Sequence, residues 1–116
     1  MGKRILIVDD SSLMRKMIRK TLEPYGHEIV GEAADGQEAI EKYKTLKPDF
    51  VTMDVTMRGI DGFKAAQTIL NFDDAARIIF LSNLNQKKYS EDAANLGAIG
   101  YVNKHKSKQI LDLLES

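Results

Sequence analysis

Four short apolar runs constrain the fold of this chain more than any other feature, because at least three of them are continuously apolar rather than alternating. A strand that is apolar throughout has to be covered on both faces, as in a parallel sheet between two layers of helices. The runs are Ile5–Val8, Phe50–Met53, Ile78–Leu81 and Ala98–Val102, with a weaker fifth run at Glu28–Ala33. The sequence therefore predicts five strands in one parallel sheet.

Between these runs the apolar residues recur at the helical period, which predicts five helices. The first helix begins after a cap at Ser11 or Ser12, and the fourth spans about Lys87–Leu96. Ser107 is expected to cap the fifth helix. In the first helix, one apolar face is expected to contain Met14, Met17, Ile18 and Leu22. Strand and helix alternate without a repeat or a linker, so we expect one α/β domain over residues 1–116.

Composition excludes several classes of function. The 116 residues contain no cysteine, which excludes disulfides, thiolate metal sites and cysteine nucleophiles. Lysine and arginine together number 17, as do aspartate and glutamate, so no overall field attracts nucleic acid or an anionic membrane. No apolar run approaches the roughly 20 residues that cross a bilayer. We expect a cytoplasmic protein whose partners include neither nucleic acid nor a membrane.

Polar residues follow the carboxyl ends of the predicted strands. Asp9 and Asp10 come after the first strand and Asp54 after the third, while Ser82 and Lys104 follow the fourth and fifth. In an open α/β sheet these ends form the ligand crevice where the winding of the sheet reverses. Taken singly, each residue has an ordinary explanation as a helix cap or a solvated loop residue. Taken together, they are expected to converge.

Three carboxylates in one crevice need a cation. At about 5 Å and an effective dielectric constant near 20, each pair repels by a few kcal/mol. The nearby sequence offers carboxylate and carbonyl oxygens but no histidine or cysteine, which favours Mg²⁺ over zinc or copper. Magnesium in turn indicates phosphate chemistry.

The same residues carry a resemblance to a known family. The chain resembles the receiver domains of two-component response regulators, especially the stand-alone chemotaxis type, over essentially its whole length. The motifs are Ile7–Ser11, Met53–Met57, Asp61–Gly62, Leu81–Ser82 and Tyr101–Lys104. The resemblance implies a flavodoxin-like, doubly wound (βα)5 fold with the strand order 2-1-3-4-5, for which a member of this family is a standard example.

The resemblance also implies a phosphoryl acceptor and a metal site. Asp54 would accept the phosphoryl group from a phosphohistidine of a sensor histidine kinase. Asp10 and Asp54 would bind Mg²⁺ directly, Asp9 directly or through water, and the backbone carbonyl of Thr56 would complete the protein ligands. The expected activity is limited to the domain's own phosphotransfer and dephosphorylation, so the chain is not expected to be an enzyme.

Further residues are implied to transmit the signal. Lys104 would pair with a phosphoryl oxygen, Ser82 would donate a hydrogen bond to it, and Tyr101 would follow Ser82 inward. The face formed by the fourth helix, the fifth strand and the fifth helix would then bind a downstream target protein. A phosphatase partner and a monomeric state are also expected.

Three positions depart from the family pattern. Arg58 and His105 stand where the family usually has proline, and Asn83 stands where it usually has a small residue. A peptide bond before a residue other than proline is expected to be trans. His105 and His27 are expected at the surface. The alternative function is a pseudo-receiver that binds partners without phosphorylation. An aspartate-nucleophile phosphatase is disfavoured because Thr56 stands where such enzymes carry a second aspartate.

Overall fold

Five parallel strands form one sheet in the order β2-β1-β3-β4-β5 in this computed structural model, which describes residues 2–83 and 87–115. The strands are β1 (Arg4–Val8), β2 (Glu28–Ala33), β3 (Phe50–Asp54), β4 (Ile78–Ser82) and β5 (Gly100–Asn103). Every residue of β3 and β4 is buried, because both strands lie inside the sheet with helices on both faces. The predicted fold class and strand order are confirmed.

Five helices cover the sheet. They are α1 (Ser12–Leu22), α2 (Gly36–Leu46), α3 (Gly62–Phe72), α4 (Lys87–Leu96) and α5 (Gln109–Leu114). One apolar layer packs the sheet against α2, α3 and α4, with Ile40, Ala66 and Ala93 among its buried residues. The other layer packs the opposite face against α1 and α5 through Ile18 and Ile110. Alternate residues of a strand therefore point to opposite faces of the sheet, and each face packs against its own layer of helices.

The fifth strand begins later than predicted, and the cause is the end of α4. Gly97 has a φ of 98°, the left-handed conformation that commonly ends a helix. The amide of Ala98 then donates to the carbonyl of Ala93 at 3.0 Å. Ala98 therefore belongs to the turn that closes the helix, and the ladder between β4 and β5 pairs Ile79 with Gly100.

The capping predictions hold at α1 and fail at α5. Ser11 Oγ accepts the amide of Met14 at 3.1 Å, which selects Ser11 over Ser12 as the cap. Ser107 is not a side-chain cap of α5, which follows Lys108 without a side-chain cap hydrogen bond. A 3-10 turn at Lys104–Lys106 leads directly into α5, so Ser107 has helical rather than extended backbone angles. A capping side chain needs the extended conformation.

Two further predictions about burial are wrong. Met17 is 49% exposed, because the buried stripe of α1 runs through Met14, Ile18 and Leu22 at four-residue spacing. Met17 lies about 100° around the helix from Ile18 and faces solvent. His27 is buried rather than at the surface, and its Nδ1 accepts the amide of Lys3 at 3.1 Å.

One buried hydroxyl group in the sheet gives a first prediction. Thr52 is fully buried between Ile7 and Ile79 of the neighbouring strands, and its Oγ1 has no hydrogen-bond partner within residues 2–83 and 87–115. A buried hydroxyl without a partner costs about 1–3 kcal/mol, and valine has nearly the same shape. We expect Thr52→Val to raise the free energy of unfolding by about 1 kcal/mol in urea titrations.

Thr68→Val serves as the matched control for this substitution. Thr68 lies on α3, and its hydroxyl group donates to the carbonyl of Lys64 at 3.0 Å. Its replacement is expected to leave the stability unchanged or slightly lower. A loss of stability in Thr52→Val would contradict the account of the buried hydroxyl group.

Candidate functional site

The predicted polar residues lie together at the carboxyl edge of the sheet. Asp9 and Asp10 directly follow β1, and Asp54 is the last residue of β3. Ser82 is the last residue of β4, and Lys104 begins the 3-10 turn after β5. Because all the strands are parallel, each of these ends points to the same edge. The topology thus gathers side chains that are almost 100 positions apart in the sequence.

Three carboxylates form the centre of the site. One oxygen from each of Asp9, Asp10 and Asp54 lies within 4.8 Å of the others. Asp9 and Asp54 are buried, whereas Asp10 is exposed. Two carboxylates of the site are therefore protected from solvent, and the site is open on the side of Asp10.

Lys104 supplies a positive charge between the two buried carboxylates. Its Nζ lies 2.9 Å from Asp9 Oδ2 and 3.2 Å from Asp54 Oδ1, and its side chain is only 12% exposed. Burial acts to lower the pKa of Lys104, but its contacts with Asp9 and Asp54 outweigh burial and raise the pKa above the usual value. No described peptide bond is cis, as predicted for His105, and Lys104 reaches the carboxylates nonetheless.

Asp54 is held in an environment that disfavours its charge. Burial, followed by the negative charge of Asp9, raises the pKa of Asp54 to about 6, while Lys104 opposes the shift. The amide of Thr56 also donates to Asp54 Oδ1 at 3.3 Å. The carboxylate therefore carries unfavourable negative charge at neutral pH, which a cation or a bond to an electrophile would relieve.

Asp9 is oriented by the start of α1. Its Oδ1 accepts the amide of Ser11 at 2.9 Å, and its Oδ2 contacts Lys104. Beyond that ion pair, Oδ2 accepts no hydrogen bond from the described part of the chain. Among the described residues, the polar partner of this buried oxygen is a cation, which suits a site for positive charge.

Gly62 lets β3 and α3 approach closely. A Cβ atom at Gly62 would lie 2.0 Å from the carbonyl oxygen of Asp54, far inside contact distance. The amide of Gly62 donates to the carbonyl of Val55 at 2.8 Å. The sequence contains the motif Asp61–Gly62, but this close approach depends on the fold and does not follow from the motif.

The remaining predicted residues lie on β4, on β5 and in the loops that follow the strands. Ser82 is buried next to Asn103 in the sheet register, and Tyr101 is partly buried opposite Phe80. Thr56 is exposed in the loop after β3. Arg58, Asn83 and His105, the three departures from the family pattern, are all exposed.

Comparisons with known proteins agree with this geometry. A family model described as the response regulator receiver domain matches residues 5–115. The chemotaxis protein CheY of Thermotoga maritima is 45% identical over 102 residues, covering 88% of this chain and 85% of that protein. CheY of Bacillus subtilis is 46% identical over 102 residues, with the same coverage of 88% and 85%.

Solved structures have the same fold. A two-component response regulator of the LuxR family from Aurantimonas superposes with a TM-score of 0.94 at 34% identity, covering 99% of this chain and 84% of that chain. A CheX–CheY–BeF3–Mg²⁺ complex from Borrelia burgdorferi gives a TM-score of 0.91 at 34% identity, covering 96% and 85%. Within the described residues, no helix has the length and apolar character to cross a membrane. The chain belongs to the response regulator receiver domain family, as a CheY-like receiver of two-component signalling.

Proposed function

We propose that this domain accepts a phosphoryl group on Asp54 in a Mg²⁺-dependent transfer from a histidine kinase. The observation that carries the proposal is the cluster of Asp9, Asp10 and Asp54 within 4.8 Å at one sheet edge, with the ammonium group of Lys104 beside it. Residues 1–116 would act as one receiver domain, and the family match over residues 5–115 supports this.

The three carboxylates fit a magnesium ion. Mg²⁺ binds six oxygens at about 2.1 Å, so opposite ligands lie about 4.2 Å apart. Adjacent ligands lie about 3.0 Å apart. The carboxylate oxygens, which lie within 4.8 Å of one another, would move inward by roughly 1–2 Å to bind the ion. Asp10 and Asp54 would bind the ion directly, Asp9 directly or through water, and the Thr56 carbonyl would complete the set. The ion would neutralise charge on the transferred phosphoryl oxygens.

The transfer step requires little from the protein beyond position and charge. A carboxylate oxygen of Asp54 would attack the phosphorus of the phosphohistidine, forming an oxygen–phosphorus bond as the nitrogen–phosphorus bond breaks. The electron pair of the broken bond returns to the imidazole. Lys104, 3.2 Å from Asp54 Oδ1, is within reach of a phosphoryl oxygen, and Ser82 would donate a hydrogen bond to the group. Dephosphorylation would take place in the same site.

The output would be a change in protein binding. Receiver domains of this family generally act as signalling proteins rather than enzymes. We propose that phosphorylation shifts the α4–β5–α5 face, with Tyr101 at its centre, toward a conformation that binds a downstream target. The CheX–CheY complex supports a further protein partner, for which we propose a phosphatase. The domain would act as a monomer.

The raised pKa of Asp54 predicts how magnesium binding depends on pH. With a pKa of about 6, Asp54 is mostly protonated below pH 6 and ionised above pH 7. Because an ion binds the carboxylate, each ion bound at low pH has to displace one proton. We expect the Mg²⁺ affinity to be constant above pH 7 and to fall about tenfold per pH unit below 6. Calorimetric titrations between pH 5 and pH 8 measure this, and a flat profile would contradict it.

The proposed function is tested by phosphorylation of the isolated domain. The protein is incubated with Mg²⁺ and a small acyl phosphate, and its intact mass is measured. We expect a gain of one phosphoryl group that is lost when a chelator is present. No gain with any donor, including a phosphorylated histidine kinase, would instead support a pseudo-receiver that binds partners without phosphorylation.

A further inference from the structure

We propose that Arg15 is a positioning residue of the metal site, holding the main chain between Asp9 and Asp10 so that both carboxylates point at the ion. The inference rests on the proposed function, because it assigns a new role within the same site. Arg15 lies on α1, outside the carboxylate cluster, and touches neither the acceptor nor the ammonium group in the described contacts.

The guanidinium group of Arg15 binds the backbone of the metal-site turn. Its Nη1 donates to the carbonyl oxygen of Asp9 at 2.6 Å, and its side chain is 17% exposed. On the other side of the same residue, the amide of Asp9 donates to the carbonyl of Ala33 at 3.0 Å. The peptide groups before and after Asp9 are therefore both fixed. Since the second of these peptides carries Asp10, its rotation sets the direction of the Asp10 side chain.

Arg15 is itself held in place by β2. Its Nε donates to Glu32 Oε1 at 2.9 Å, so one guanidinium group binds a carboxylate and a carbonyl at once. Glu32 Oε2 accepts two hydrogen bonds from Arg19, at 2.7 Å and 3.2 Å. These bonds, with that of Arg19 foremost, lower the pKa of Glu32 despite its partial burial. Glu32 stays ionised and keeps Arg15 oriented.

The direction in which Mg²⁺ affinity changes distinguishes a positioning role of Arg15 from an effect of its charge. Arg15 is a cation whose guanidinium group contacts the main chain of Asp9, next to the carboxylates proposed to bind Mg²⁺. By Coulomb's law alone, removing its charge would strengthen Mg²⁺ binding. A weaker affinity after removal of Arg15 can therefore not come from the lost charge, and indicates that the carboxylates are no longer held in place.

The test compares substitutions of Arg15 with one of Arg19. Groups that orient metal ligands typically change metal affinity by about 10- to 100-fold when removed. We expect Arg15→Met to bind Mg²⁺ at least about tenfold more weakly in calorimetric titrations. Arg15→Lys keeps the charge but loses the planar guanidinium group that binds Asp9 and Glu32 at once. This variant is therefore also expected to bind Mg²⁺ more weakly than the unmodified protein.

Arg19→Met is the matched control. It removes a cation of the same kind from the same helix and breaks the contact with Glu32, but it leaves the bond from Arg15 to Asp9. We expect its Mg²⁺ affinity to stay within about twofold of the unmodified protein, because Arg15 keeps its own hydrogen bonds to Asp9 and Glu32. An equal loss in both variants would assign the effect to the ion network as a whole and overturn the role of Arg15.

A second readout does not involve the ion. Hydrogen exchange of the metal-free protein reports on two amides: that of Asp9, which donates to the carbonyl of Ala33 in β2, and that of Ser11, which donates to Asp9 Oδ1. These amides are expected to exchange faster in Arg15→Met and in Arg15→Lys, but not in Arg19→Met. Should Arg15→Met fail to fold, Arg15→Lys carries the same test.

The outcomes distinguish this inference from the proposed function. If the unmodified protein binds no Mg²⁺, the proposed function fails and the inference fails with it. If the unmodified protein binds Mg²⁺ and Arg15→Met binds it equally well or more tightly, only the role of Arg15 is overturned.

Discussion

Asp54→Asn is expected to accept no phosphoryl group from any donor while becoming more stable than the unmodified, metal-free protein. The loss follows because an amide oxygen is a poor nucleophile, and no other carboxylate of the site lies at the end of β3. The gain follows because Asp54 is buried, and its pKa is raised to about 6 from an ordinary value of 3.8. A neutral amide of the same shape removes this unfavourable charge.

The size and pH dependence of the gain follow from linkage. A shift from 3.8 to about 6 corresponds to roughly 3 kcal/mol against folding when Asp54 is fully charged. Because the folded-state pKa is raised, this cost is absent below pH 4, grows between pH 4 and pH 6, and is complete above pH 7. We expect Asp54→Asn to gain about 1–3 kcal/mol at pH 7.5 and almost nothing at pH 4.

Urea titrations at the two pH values and intact mass after exposure to an acyl phosphate measure both effects. Asp61→Asn is the matched control, because Asp61 is exposed and caps α3 through its Oδ1, a role that asparagine fills equally well. Asp61→Asn should keep phosphoryl acceptance and ordinary stability. Phosphorylation of Asp54→Asn to the same extent as the control would place the acceptor elsewhere.

Lys104→Met is expected to have the opposite effect on stability. The substitution removes the ammonium group that contacts both Asp9 and Asp54, and it leaves two buried carboxylates facing each other. Removing one partner of a buried ion pair typically costs about 3–5 kcal/mol. The free energy of unfolding of the metal-free variant is therefore expected to fall by about that amount. The variant is also expected to accept phosphoryl groups slowly even when Mg²⁺ is present.

A double-mutant cycle identifies the cause of this loss. Lys108→Met is the control, because Lys108 is an exposed lysine in the same segment. This substitution should leave the free energy of unfolding almost unchanged. Combining Lys104→Met with Asp54→Asn removes one of the two facing charges, so the double variant should recover a large part of the lost stability. A full, additive loss in the double variant would show that Lys104 stabilises the fold by packing rather than by its charge.

Much of the site could be predicted because its residues directly follow recognisable strands. The buried runs at β1, β3 and β4 are apolar enough to be found without a structure, and parallel strands have to end at the same edge. This placed Asp9, Asp10 and Asp54 together, and the family resemblance added the role of each. A cap at Ser11 or Ser12 was equally predictable, because the capping preference of serine is a local property, and the structure selects Ser11.

What could not be predicted depends on contacts between distant segments. Arg15 looks like one of several surface cations on α1, and only the fold brings it to the carbonyl of Asp9 and to Glu32. Ser107 is of a residue type that commonly caps helices, but the preceding 3-10 turn gives it helical backbone angles. His27 is buried, and its Nδ1 accepts the amide of Lys3, a contact across 24 positions that the local sequence does not reveal.

The most direct measurement of the central claim is the position of a bound ion. Crystals of the protein grown with Mn²⁺, a magnesium substitute with a strong anomalous signal, locate the ion without reference to activity. We expect one ion at the carboxyl edge of the sheet, bound by carboxylate oxygens of Asp10 and Asp54, with Asp9 bound directly or through one water. An ion that binds without Asp54, or no ion at this edge at a saturating concentration, would contradict it.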